Sequence, residues 1–187
     1  MATLKVFFPG RRYSSDRSFL YFLDRYIDGE SVYLDYDVKR YTKDVLPLEE
    51  NIDEAFMFSF EKLKDFDFSK YIEIIFIAKS IGTVVAGKIR ETLKVNNARV
   101  IMLTPLNETI PYLRQTDFIL TSFADTYIDA NKLKKVENRY PFMSIYQDIG
   151  HSLEYPNNLK KTLTFLYENL ELILNYLDTA YKDILEE

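Results

Sequence analysis

The chain has no cysteine, no tryptophan, one histidine, and only five glycines and six prolines among 187 residues. Without thiols there can be no disulfide framework, no thiolate zinc site, no Fe–S cluster and no cysteine nucleophile. The same absence offers nothing in favour of an oxidising compartment, so the expected location is cytoplasmic. Long apolar runs are missing too. No uncharged stretch exceeds eight residues, the longest being 80–87, 100–107 and 140–147, whereas a membrane-spanning helix needs about twenty. No membrane partner is expected. The opening MATLKVFFPGRR has its arginines after a short apolar stretch instead of before a longer one, which does not suit a signal peptide and reads as a first strand. There is no tract rich in Lys and Arg, and a net charge of −5 repels a phosphate backbone, which argues against nucleic acid as a partner. Repeats, low-complexity tracts and Pro/Gly/Ser linkers are also lacking, so residues 1–187 read as a single domain.

What the chain does have is bulk for a core: 15 Tyr, 14 Phe and 47% hydrophobic residues. A chain of this size hides about 70% of its extended surface on folding. Short apolar runs alternate with longer amphipathic ones, the pattern of strands joined by crossover helices. The expected fold class is α/β, a three-layer α/β/α sandwich around a mostly parallel sheet of about six strands. Strands are predicted at 4–8, 31–36, 71–78, Arg99–Leu103, Phe118–Ser122 and 141–146. Helices are predicted at 16–26, capped by Ser14 or Ser15 and ended by Gly29; after Asp44 with Pro47 in the first turn; at 81–94, ended by Asn96-Asn97; at 129–137; and from Asn157 onward. In the second of these, Leu48, Ile52, Ala55, Ser59 and Leu63 recur at helical steps and should face the sheet. In the last, the apolar positions run from Leu159 to Ile184, long enough to suggest a homodimer contact beyond the sheet.

The junction Ala78-Lys79-Ser80-Ile81-Gly82 joins the central strand to its helix. A serine on so tight a strand-to-helix turn stands at the carboxyl edge of the sheet, and small residues two before and two after it keep neighbouring chain clear. A serine that merely caps the helix is the plainer alternative. The single imidazole, His151, follows the last predicted strand and so falls on the same edge, where a serine nucleophile would need its base. Asp125, after the preceding strand, could orient that imidazole and stabilise the imidazolium. Asp129 reads better as a helix cap, and Asp148 is too near His151 in sequence to reach its ring.

The order Ser80, Asp125, His151 is that of α/β-hydrolases. With Phe7-Phe8-Pro9-Gly10-Arg11, Leu103-Thr104-Pro105, residues 124–129 and Gly150-His151-Ser152-Leu153-Glu154, the sequence resembles the α/β-hydrolase superfamily, most closely its small, lidless members, over essentially the whole chain. The resemblance departs at Ala78, where the family has glycine, and at Pro9, where it usually has histidine. It implies a serine hydrolase acting on an ester or related acyl bond of a small substrate, with Ser80, His151 and Asp125 catalytic and no metal or organic cofactor needed. It also implies an oxyanion hole from the backbone N–H groups of Ile81 and Arg11, with Arg12 as the fallback. Arg11, Arg12 and Tyr13 would line the mouth, where guanidinium could meet a substrate carboxylate or phosphate. Glu108 and Tyr112 read as part of a short solvated helix. Only residues 104–117 separate two strands on the edge where larger relatives insert a cap, so a helical lid has no room and the pocket should be shallow. Two other readings stay open: lyase-type chemistry with the same residues, and a binding module that keeps the fold without turnover.

Overall fold

Short, nearly continuous apolar runs joined by crossovers build the central sheet, as suits parallel strands buried on both faces. The computed structural model describes residues 2–36, 47–135 and 137–178. Its strands are β1 (Thr3–Phe8), β2 (Glu30–Tyr33), β3 (Glu73–Lys79), β4 (Arg99–Leu103), β5 (Phe118–Ser122) and β6 (Met143–Tyr146). They lie in the order β2-β1-β3-β4-β5-β6, and each described pairing is parallel. The helices are α1 (Ser18–Tyr26), α2 (Leu48–Leu63), α3 (Ile81–Thr92), the short α4 (Ala130–Lys134) and α5 (Leu159–Asp178).

Residue parity along β3 separates the two faces. Ile74, Phe76 and Ala78 join Ile52 and Ala55 of α2 and Val84, Val85 and Ile89 of α3 in one core. Ile75 and Ile77 join Phe19, Leu20 and Leu23 of α1 and Phe165, Leu166 and Ile173 of α5 in the other. The result is the expected three-layer sandwich. Because the strands are parallel, their carboxyl ends share one edge. The chain leaves β1 for β2 on one side and returns to β3 on the other, which makes the carboxyl end of β1 and β3 the switch point where ligands bind in open α/β sheets.

Differences from the sequence expectations are mostly at element ends, and each has a local cause. Helix α1 starts at Ser18 with no side-chain cap, since Ser15 Oγ instead donates to Asp35 Oδ1 at 2.7 Å and Ser14 pairs with Asp16. The helix stops at Tyr26, before Gly29. Strand β2 ends at Tyr33, although the Leu34 N–H still donates to Phe7. Pro47 is the N-cap of α2, and Asp44 lies outside the described residues. Of the expected stripe on α2, Ile52, Ala55, Ser59 and Leu63 are buried, but Leu48 is exposed and borders the cavity described below. Strand β3 starts at Glu73 and extends through Lys79, leaving Ile72 exposed. Helix α3 gives way at Leu93 to a left-handed Lys94, earlier than Asn96-Asn97. Asp129 caps α4, which is shorter than expected, and β6 begins at Met143. On α5, Leu159 and Leu163 point to solvent, and the buried face is Phe165, Leu166, Asn169, Ile173 and Tyr176. Ile184 lies outside the described residues.

Candidate active site

Ser80 sits between β3 and α3 with φ 56° and ψ −123°. That backbone region is costly for any residue with a Cβ, and such outliers persist where the surroundings over-determine them. Here the Ser80 N–H donates to the Leu103 carbonyl at 3.0 Å, and the Ser80 carbonyl accepts from the Thr83 N–H at 2.9 Å and the Thr83 hydroxyl at 2.6 Å. Thr83 in turn shares a buried 2.6 Å hydrogen bond with Thr109. This strand-to-helix turn, the elbow, is therefore tied to β4 and to the loop that follows it.

Glycine at 82 is required by space. A Cβ there would lie 2.0 Å from the Phe8 carbonyl oxygen and 2.7 Å from that of Pro9, both backbone atoms that cannot swing aside. Gly10 packs against the serine, its notional Cβ 3.2 Å from Ser80 Cβ. The loop after β1 is thus drawn over the start of α3, bringing Arg11 to the elbow. Gly82→Ala should destabilise the fold by about 1–3 kcal/mol, the usual cost of overpacking, and displace the loop from the serine. Urea denaturation and the rate of Ser80 acylation check this; wild-type values for both would refute it.

Three distant segments converge at the serine. His151 Nε2 is 2.8 Å from Ser80 Oγ, and His151 Nδ1 is 2.8 Å from Asp125 Oδ2. The Asp125 side chain is fully buried, and its Oδ1 accepts from the Tyr127 N–H at 2.9 Å. An ionised carboxylate only accepts, so Nδ1 carries the imidazole proton and Nε2 is free to accept from the serine hydroxyl. The Tyr127 ring lies against the imidazole, with centroids 4.6 Å apart. Burial and the nearby charge of Lys79 hold His151 below the ordinary imidazole range, against the opposing pull of Asp125. The imidazole is therefore a neutral base near pH 7.

Beside the serine is a cavity of about 340 Å³ lined by Arg11, Arg12, Tyr13, Leu48, Ile81, Leu106, Tyr127 and Ser152, among others. Arg11 and Arg12 border it. Tyr13 does too, although its hydroxyl accepts from the Phe19 N–H at 3.2 Å and so faces α1. Glu108 is exposed and Tyr112 packs against Gly87 of α3; neither is among the residues lining the cavity. Asp148 pairs with Lys161, away from the imidazole. Residues 107–112 form a single 3₁₀ segment, and between β4 and β5 there is no inserted lid.

No protein-family model and no curated protein matches the sequence. Solved structures do match in shape. A protein from Xanthomonas campestris pv. campestris, assigned to the hydrolases of the alpha/beta superfamily, superposes with a TM-score of 0.53 at 14% identity, over 91% of this chain and 99% of its own. A YdeN-like protein from Pectobacterium atrosepticum, assigned as a hydrolase, gives 0.52 at 13% identity, over 91% and 92%. The chain has the α/β-hydrolase fold. Within that α/β-hydrolase fold, Ser80 occupies the strand-to-helix turn at the switch point, and Asp125 and His151 follow β5 and β6. Among the described residues, no cluster of His, Asp and Glu could hold a metal ion, and no helix is long and apolar enough to cross a membrane.

Sequence reasoning gave no role to two neighbours of the serine. Tyr127 reaches the imidazole only through the turn that also supplies an N–H to Asp125. Lys79 carried a readable signal: a charged residue ending an otherwise apolar central strand has nowhere to go but inward. Lys79 is 1% exposed.

Proposed function

We propose that this protein is a serine hydrolase that cleaves a carboxylic ester of a small substrate. The observation carrying this reading is the unbroken line Ser80 Oγ, His151, Asp125, with both contacts at 2.8 Å, opening onto a cavity. The two solved structures that share the fold are themselves assigned as hydrolases, which supports the reaction class.

In this reading, Ser80 Oγ attacks the acyl carbon while His151 Nε2 takes its proton. Asp125 holds the imidazole in the productive tautomer and stabilises the imidazolium. The N–H groups of Ile81 and Arg11 receive the developing oxyanion, a role suited to backbone amides because they need no rearrangement during the reaction. His151 then delivers the proton to the leaving alcohol. Water, activated by the same imidazole, clears the acyl-enzyme. No step needs a metal or an organic cofactor. Arg12 and the Tyr13 ring flank the bound substrate, and a cavity open to solvent suits small or exposed esters.

A fluorophosphonate probe tests the reading. Wild type should label, and Ser80→Ala should not. Absence of labelling between about pH 6 and 9 would replace the hydrolase with a binding module, and labelling without turnover of any ester would favour lyase-type chemistry. On an ester panel, a distal carboxylate should raise kcat/KM in wild type and lose that advantage in Arg12→Ala; equal values in both would remove the arginine from substrate recognition.

A further inference from the structure

Lys79 is the last residue of β3, next to the serine, on the sheet face that looks toward α1 and α5. Its ammonium is enclosed on three sides. Nζ donates to Thr104 Oγ1 at 2.5 Å and to the His151 carbonyl at 2.8 Å, and it lies over the Tyr13 ring, 5.1 Å from the centroid. An ammonium has three N–H groups, and two hydrogen bonds with one aromatic face account for all of them.

The backbone around this cation is strained. Five described residues other than glycine have positive φ, and three of them stand on the segments that meet at Lys79: Ser80 itself at 56°, Thr104 at 45°, and Leu153, two residues after His151, at 62°. Thr104 is β-branched, for which that conformation is a true outlier. Nothing in a sheet-to-helix connection needs a left-handed threonine, but this one presents its hydroxyl to Nζ.

We infer that Lys79 is a positioning residue for His151: clamped between Thr104 and the His151 carbonyl, its ammonium fixes the loop that carries the imidazole and sets the charge that imidazole can bear. The inference deepens the hydrolase reading by naming what governs its base. Lys79 is not in line with the reacting atoms and acts through His151. Burial brings Lys79 itself down to about 7, so below neutrality, where an imidazole titrates, the cation is present and opposes a second positive charge. The other groups facing the imidazole are Asp125, which favours protonation, the hydroxyl of Ser80 and the ring of Tyr127. Arg11 and Arg12 line the same cavity from the β1 loop, and Glu154 faces Tyr13 behind it. Among the positive charges here, Lys79 is the one that hydrogen-bonds the His151 backbone and is sealed from water, so solvent screens it less than Arg11 or Arg12.

The test uses the fact that the chain holds one histidine. An NMR titration of a ¹⁵N-histidine sample reads His151 without overlap and needs no substrate. In Lys79→Met the His151 midpoint should move to higher pH, because removing the cation lets the imidazole accept a proton sooner. The acid limb of fluorophosphonate labelling should follow, so that the rate at pH 5.5 relative to pH 8 falls about tenfold. A merely structural lysine would alter rates without moving either midpoint. If Lys79→Met does not fold, as judged by amide dispersion, Lys79→Gln removes the charge while keeping a donor and gives the same readout. An unchanged His151 midpoint in the folded neutral variant overturns the inference, even if wild type labels normally. A midpoint that moves in a protein that never labels supports it and removes the hydrolase reading instead.

Discussion

Asp125→Asn should lower kcat/KM on the best ester by about 10³–10⁴, and His151→Ala or Ser80→Ala by about 10⁴–10⁶. The asparagine loss has a specific cause in this site. Asp125 Oδ1 accepts from the Tyr127 N–H, and Oδ2 accepts from His151 Nδ1. An asparagine would keep its carbonyl on the Tyr127 amide, since only an acceptor fits there, and would turn its NH₂ toward Nδ1. Two donors cannot face each other, so the imidazole must move its proton to Nε2, where it can no longer accept from Ser80. The fold survives and the base is lost. Because the three groups act as one unit, Ser80→Ala combined with His151→Ala should be no worse than either alone. Steady-state kinetics of the single and double variants, with ¹⁵N shifts of the sole histidine to report its tautomer, check both parts. An Asp125→Asn variant within tenfold of wild type, or with Nδ1 still protonated, would contradict this account.

Much of the fold was legible in the sequence because its signals are local and periodic. The apolar run of β3, the punctuation after it and the helical steps of α3 each mark an element without reference to any other. The candidate site was legible for a different reason: strands of one direction bring their carboxyl ends to one edge, so Ser80, Asp125 and His151 could be placed together from strand order alone. What the sequence concealed depends on contacts between elements. Ser15 looks like a helix cap until Asp35 arrives from the far side of β2 and takes its hydroxyl. Leu159 and Leu163 keep the helical step of α5, but the helix has not yet reached the sheet at those positions, and they stay in water. At Lys79 the inward direction is readable, but not the partners, Thr104, Tyr13 and the His151 carbonyl, that close around it.

A second ion that the periodic patterns could not pair is Arg90, in the last turn of α3. It is fully buried against Asp117, just ahead of β5, with Nη1–Oδ1 at 2.5 Å and Nη2–Oδ2 at 3.1 Å. Nη2 also donates to the Tyr112 carbonyl at 2.6 Å, and Asp117 Oδ2 accepts from the Arg114 N–H at 2.8 Å. The pair thus fastens the far end of the elbow helix to the strand that leads to Asp125. Deleting one partner leaves a charge in the core without its counter-ion, so Asp117→Ala should cost about 3–5 kcal/mol, a large fraction of the roughly 5–15 kcal/mol that holds a domain together. Replacing both at once, as Arg90→Met with Asp117→Leu, should recover most of the loss, because apolar side chains of similar volume do not carry the desolvation penalty of two ions. Urea denaturation of the single and double variants measures the coupling. A single variant that loses less than about 1 kcal/mol would mean that water reaches the orphaned guanidinium; a double variant as unstable as the single would mean that the Tyr112 and Arg114 backbone groups, and not the ion pair, are what α3 depends on.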